Sequence, residues 1–543
     1  MWGRLGMTRR SAWLLGGVTL FVAAGVAAGY YRAHVPHVRP ITVLRKPMAA
    51  PADRTPAPGP LRVLTANPRY FTADGETAVL LVGSHTWSNL QDNGHTDPPP
   101  AFDYDRYLDF LVNQHHNFFK IWIWEQARWA PWVRTDRYFV EPLPFARTGP
   151  GLALDGKPRF DLDRFNDAYF DRLRDRVRRA GDRGIYVAVM LFDAWSLDNR
   201  HGGLNRGNPW LGHPFNRANN INGVDGDPNR DGQGDESHLL VDPRITAYET
   251  RYVERVIDTV GDLDNVLYEI SNESWPESRD WQYRIIEHIQ NYESTRPKRH
   301  PVGMTSYVGL HKDFESDLYE SRAEWIGPNN GLHNEFIDSP PPASGAKVVV
   351  LDTDHLWGIG GNRTWAWKAF LRGYNLMFMD SYDGQAVGLG APGAWDIRFA
   401  SWRQVVKKLL GRFDPPAGWN PDNTMAVELR AAMGDIRGLS QRIPLAQMTP
   451  HVELASTGYC LFGGTAKDSH YVAFAEDGAR PLLLDLTATP GTMDYQIFDT
   501  RKGVVVGSGR VEGGSPHSFE IDGIEQWVVH VYSSGAGATP SLH

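Results

Sequence analysis

The chain has 543 residues and almost no cysteine: Cys460 stands alone, so no disulfide can form within it and stability must come from packing. It also lacks any excess of basic residues. A formal net charge of −8 supplies no positive field for a phosphate backbone, which argues against nucleic acid as a partner. The chain is not poor in apolar residues, as a disordered one would be; 41% hydrophobic and 12% aromatic suffice for a large core and more than one domain. Long uncharged apolar runs are missing, with one exception. After Arg4, Arg9 and Arg10 comes AWLLGGVTLFVAAGVAAGYY, Ala12 to Tyr31, long enough to cross a bilayer as a helix. Residues 1–33 are therefore expected to be a signal anchor or signal peptide, with the rest exported: anchored to the membrane facing outside the cytoplasm, or secreted. Residues 34–60, rich in Pro, Ala and Arg, read as an extended linker.

From Leu61 onward the pattern becomes regular. Apolar strand-like runs occur at Ala78–Trp87, Phe118–Glu125, Ile185–Asp193, Asn265–Glu273, Pro301–Tyr307, Glu324–Asn330, Lys347–His355 and Asn375–Tyr382. Amphipathic helical stretches such as FNDAYFDRLRDRVRRAG and ITAYETRYVERVIDTVG lie between several of them. Eight such units predict a closed (β/α)8 TIM barrel over 61–445, with an open doubly wound sheet as the alternative. From about Pro450 short strands separated by turns predict a C-terminal antiparallel β-sandwich domain over 446–543. Such a module either binds carbohydrate or braces the barrel. No aromatic platform singles out binding.

In a (β/α)8 barrel the active site gathers at the C-terminal ends of the strands. Nearly every run here ends in polar or aromatic residues: His85 and Trp87, Glu125, Asp193, Asn272 and Glu273, Tyr307, Asn329 and Asn330, Asp352 and Asp354, Asp380 and Tyr382. Two carboxylates in one sheltered mouth are what glycosidic cleavage needs, one to protonate the leaving oxygen and one to attack or to stabilise the sugar cation. Glu273 is the expected acid/base, and Asn272 a hydrogen-bond partner for a sugar hydroxyl. Trp87, Trp124, Trp275 and Trp357 are candidates for sugar stacking. Glu125, Asp193 and His355 are further substrate-binding candidates, with His85 and His333 as weaker ones.

With Asn-Glu ending the fourth strand, the chain resembles the clan A glycoside hydrolases, retaining (β/α)8 enzymes with a second carboxylate at the end of strand seven. RYFTADGETAVLLVGSHTWSNLQD (69–92) and VVVLDTDHLWGIGGNRTWAWKAFLRGYNLMFMDSY (348–382), with the β-rich C-terminus, are similar to the apiosidase-like bacterial group, whose appended domain is often called collagen-binding. The resemblance implies a carbohydrate substrate, no required cofactor, and a nucleophile at Asp354, with Asp352 as its rival. Where that group often has Gly-Gly-Asp and Asp-Gly-Glu, this chain has Ser-Asn-Glu and Asp-Thr-Asp. An aspartate is shorter than a glutamate by one methylene, about 1.5 Å of reach, so apiose specificity does not carry over. The competing reading is a non-catalytic carbohydrate-binding or envelope-organising protein on the same barrel. Finally, Asp227-x-Asn229-x-Asp231-Gly232 has the alternating oxygens and the glycine of a calcium loop, without the glutamate at the twelfth position. A structural calcium there and a solvated acidic turn are the two readings.

Overall fold

The computed structural model describes residues 55–130, 137–197, 207–307, 315–328, 335–357, 360–380, 382, 424–465 and 467–533. The expected N-terminal apolar segment, Asn329, Asn330 and His333 lie outside them. Among the described residues no helix is long and apolar enough to cross a membrane.

Eight parallel strands form one sheet: β1 Val82–His85, β2 Phe118–Ile121, β3 Tyr186–Asp193, β4 Val266–Asn272, β5 Val302–Thr305, β6 Trp325–Gly327, β7 Val348–Asp352 and β8 Asn375–Met379. Each strand pairs with its sequence neighbour from β2 through to β8, and β8 pairs with β1. At the remaining seam Asn117, just before β2, joins the edges. Its backbone N–H donates to Val82 O (3.0 Å), its Oδ1 accepts from Val82 N (3.0 Å), and its Nδ2 donates to Leu80 O (3.0 Å). Gly83 makes this contact possible, because a Cβ there would stand 1.6 Å from the Phe118 carbonyl oxygen. The barrel is a nearly closed (β/α)8 fold, as its periodicity predicts.

Four long helices, α1 Tyr104–Asn113, α2 Asp167–Gly181, α3 Pro243–Val260 and α4 Arg279–Glu293, connect β1 through β5. Each buries one stripe: α3, for instance, turns Ile245, Tyr252, Val253, Val256, Ile257 and Val260 inward at helical spacing, capped at its start by Asp242 accepting from Arg244 N. Shorter helices come after β5 and β6, and α5 Arg363–Leu371 and α6 Thr424–Ser440 complete the ring.

Alternate residues of a strand share a face, and inside the barrel this sorts the chemistry into layers. Leu81, Phe118, Ala188, Leu267, Trp325, Val348, Val350 and Met377 form an apolar floor. Two residues further along their strands, Lys120, Glu269 and Asp352 form a buried charged layer, which His85 on β1 completes.

The C-terminal part is a six-stranded antiparallel sheet: β9 Met448–Pro450, β10 Cys460–Thr465, β11 Asp468–Ala475, β16 Trp527–Ser533, β13 Thr492–Asp499 and β14 Val504–Glu512, in that spatial order. A two-stranded piece, β12 Leu482–Asp485 with β15 Pro516–Phe519, packs on one face around Tyr471, Trp527 and Val529. The other face meets α5, where Phe498 lies 5.8 Å from Trp367.

Candidate active site

Glu273 comes directly after β4, and its backbone leaves the strand at φ +46°. Left-handed backbone costs a residue with a Cβ roughly 1–2 kcal/mol, so neighbouring contacts must hold it. One is the Trp195 indole, whose Nε1 donates to Glu273 Oε2 at 2.7 Å. Trp195 belongs to the short turn Ala194–Ser196 that closes β3. The preceding residue of β4, Asn272, donates from Nδ2 to Asp193 Oδ1 (3.3 Å) and accepts at Oδ1 from His355 Nε2 (3.4 Å).

Asp193 is wholly buried, and burial followed by the Glu125 charge pushes its carboxyl well above the ordinary range. Its backbone N–H donates to Glu125 Oε1 at 2.7 Å. Glu125 also meets His213 Nε2 (3.3 Å, at Oε2) and His238 Nε2 (3.4 Å, at Oε1). Burial opposes its charge, but these two imidazoles hold it down at about 2. Glu125 therefore acts as an anionic post behind the mouth.

Across the barrel, Asp352 ends β7 and caps the single turn Thr353–Leu356 by accepting Asp354 N–H at Oδ1 (2.9 Å). The same oxygen is 3.2 Å from His85 Nε2, and Oδ2 is 3.2 Å from Lys120 Nζ. Lys120 in turn lies 3.1 Å from Glu269 Oε1. Burial works against an anion at Asp352, but His85 and Lys120 outweigh it and hold the carboxyl far below its usual range. For Asp354 the balance is reversed: burial, then the charges of Glu273 and Asp352, raise it well above the carboxylate range. Asp352 is 1% exposed and Asp354 9%. Of the two, Asp354 is the one a substrate can reach.

Asp352, Asp354 and His355 are also the one group of three His, Cys, Asp or Glu side chains among the described residues whose ligand atoms converge, all within 4.8 Å of one another. The Lys120 ammonium already stands beside Asp352 as the local cation. In the acidic loop, Asp227 Oδ1 and Oδ2 accept the N–H groups of Asp231 (3.1 Å) and Gly232 (3.0 Å), and Asn229 Oδ1 accepts Asp231 N–H (2.8 Å). The Asp231 carboxylate accepts Gln233 N–H (3.0 Å).

The structure thus brings Asn272, Glu273, Asp193, Asp352, Asp354 and His355 together. It directs other strand ends elsewhere. Tyr307 donates to Asp317 (3.0 Å), and Asp380 is locked to Arg430 (2.6 Å from Nε). Trp124 (2% exposed) donates its indole N–H to Trp87 O, and Trp87 itself is 5% exposed, so both pack in the core and present no face to a sugar. Trp275 and Trp357 are partly buried, as is Trp195. Sequence reasoning missed Trp195, Lys120, Glu269, His213 and His238. Lys120 and Glu269 do carry a signal, each being a lone charge within an apolar strand that must be buried and hence paired. Trp195 carries none, since its partner is 78 residues away.

A family model described as a domain of unknown function (DUF6298) matches residues 120–316. No curated protein sequence matches the chain. Among solved structures, a glycoside hydrolase family 5 protein from Bacteroides vulgatus is similar at TM-score 0.55 and 13% identity, over 89% of this chain and 97% of that one. A second glycoside hydrolase is similar at TM-score 0.52 and 12% identity, over 88% of this chain and 99% of that one. At such identities the likeness is one of fold: this chain has the barrel architecture of glycoside hydrolases, with a C-terminal antiparallel sheet appended.

Proposed function

We propose that the protein is a retaining glycoside hydrolase acting outside the cytoplasm on a poly- or oligosaccharide, with Glu273 as acid/base and Asp354 as nucleophile. The observation that carries this reading is the carboxyl pair itself. Asn272, next to Glu273 at the end of β4, and His355, next to Asp354 after β7, meet at 3.4 Å, so the two carboxyls open on one mouth, where the charge of Glu273 helps raise Asp354. Two interacting carboxyls in a sheltered site hold one proton between them, and one proton on two carboxyls is the resting state a retaining mechanism requires. In the first step the acid protonates the leaving oxygen while the other carboxylate forms the glycosyl bond; in the second, water enters and returns the proton. Asn272, wholly buried and bonded to Asp193 and His355, fixes the strand end beside the acid, and Trp275 and Trp357 are the stacking faces.

Burial and the charges of Glu273 and Asp352 raise Asp354, so as nucleophile it must be ionised while Glu273 holds the proton. Azide rescue decides between the two orders. In a retaining enzyme the acid/base variant yields a glycosyl azide of retained configuration and the nucleophile variant an inverted one. We therefore expect Glu273→Ala to give the retained azide and Asp354→Ala the inverted one. The exchange of those outcomes would reverse the roles. A screen of plant and bacterial polysaccharides for released sugar supplies the substrate. Glu273→Gln should lower hydrolysis of substrates with poor leaving groups by at least about 10²-fold while leaving the fold intact. No turnover of any glycan by the wild-type chain, with retained glycan binding, would favour a carbohydrate-binding protein on the same barrel. The apolar segment before the Pro-rich linker makes a membrane-tethered exoenzyme the proposed form, and the relation to apiosidase-like enzymes belongs to the same proposal.

A further inference from the structure

We infer that the turn closing β3, Asp193 to Ser196, is a clamp on the Asn272–Glu273 pair, with Trp195 the positioning residue for Glu273. The inference rests on the reading of Glu273 as acid/base. It starts from register: Asp193 and Asn272 are partners in the β3–β4 ladder, so the two strands end level. From that point one turn reaches both members of the pair. Asp193 Oδ1 accepts from Asn272 Nδ2 at 3.3 Å, and Trp195 Nε1 donates to Glu273 Oε2 at 2.7 Å.

The clamp is anchored from behind. Ser196 Oγ donates to Asp193 Oδ2 (3.0 Å) and accepts Glu125 N–H (2.9 Å), while Glu125 takes the Asp193 N–H between its two histidines. A turn fixed at this many points can offset the left-handed φ of +46° at Glu273, which surrounding structure must otherwise over-determine. Without the clamp, relaxation of that residue toward ordinary backbone would swing the carboxyl away from the mouth.

The choice of donor matters. An indole N–H can only donate, and it bonds a carboxylate more strongly than a carboxylic acid. Trp195 therefore favours the anion of Glu273, the form left once the proton has been given to the leaving group.

The test is Trp195→Phe, which keeps most of the ring and removes the N–H, with Trp195→Leu, which also lacks a donor, as the second variant. Expected are a fall in kcat of about tenfold, the size of one charge-assisted hydrogen bond, KM within about twofold, and an alkaline limb of kcat/KM displaced upward, because losing an anion-stabilising donor raises the pKa of the acid. An independent readout tracks the indole 15N–1H signal of Trp195, identified by its disappearance in either variant. It should move with pH in the wild-type protein and stay still in Glu273→Gln. An unchanged pH profile in the variants, or an indole signal indifferent to pH or still titrating in Glu273→Gln, overturns the clamp. If the indole titrates as expected but the wild type cleaves no glycan, the clamp stands and the hydrolase reading falls. If hydrolysis is robust and the indole is indifferent, the reverse holds.

Discussion

A lysine with no solvent exposure needs anions around it, and Lys120 has Glu269 at 3.1 Å and Asp352 at 3.2 Å. Burial alone would lower its pKa, but these carboxylates override it and raise it, so it stays charged. Glu269 bears the remaining strain: burial pushes it up to about 7 against the pull of Lys120. Asp352, depressed in the folded state, stabilises the protein above the ordinary aspartate pKa, and that contribution is lost as pH falls through its folded value. Replacing Lys120 by Met would strand Glu269 and leave Asp352 with His85 alone, and breaking a buried pair in this way costs about 3–5 kcal/mol. Lys120→Met should therefore unfold at markedly lower temperature at pH 7. The deficit should shrink toward pH 5, where the stranded groups take up protons. Equal deficits at both values would show that Lys120 contributes by packing alone.

At the scale of single elements, the turn Thr353–Leu356 and the loop 227–232 solve similar problems differently. In the first, the Asp352 side chain caps the turn and presents Asp354. In the second, Asp227 and Asn229 fold the loop onto its own N–H groups, and Arg230 and Gly232 take the positive φ values, 63° and 85°, that the tight turn requires. A carboxylate oxygen holding one N–H still has a lone pair to offer, so calcium binding is proposed for this loop. Millimolar calcium is expected to raise the unfolding midpoint by roughly 1–3 °C through preferential binding to the folded state, with the shift abolished in Asp231→Ala. A midpoint indifferent to calcium and to chelation would leave a self-bonded turn.

At the scale of the whole molecule, the C-terminal sheet is built into the barrel wall. Gln526 Oε1 accepts from Thr364 Oγ1 (3.1 Å), Glu476 pairs with Lys368 (2.8 Å), and Phe498 lies against Trp367, all three barrel residues being on α5, the helix that comes after the Asp354 turn. This is the position of a brace. Calorimetry of the full chain should show one transition, and Phe498→Asp should lower it as a whole by burying an unpaired charge against α5. Two transitions, only one of which moves, would mean that sheet and barrel fold independently.

The eight strands, their order and the position of Asn272–Glu273 at the end of β4 were legible in the sequence, because apolar runs and helical periodicity are local and a strand end is a place along one segment. Asp193 was legible as a strand end, whereas Glu125, expected to end the second strand, lies four residues beyond β2; their roles as a hydrogen-bond partner of Asn272 and a buried post were not legible. Those depend on His213, His238 and the β3–β4 register. Trp87 and Trp124 read like Trp275 and Trp357 in the sequence, and only the packing around them put the first two in the core. Lys120 and Glu269 announced that they needed partners without naming them. They are 149 residues apart and lie on β2 and β4, with only β3 between them, so strand order and register make them neighbours. The order of residues set where each charged group sits along its strand. The closed barrel chose which groups face one another, because side-chain contacts across a barrel depend on register and shear rather than on distance along the chain.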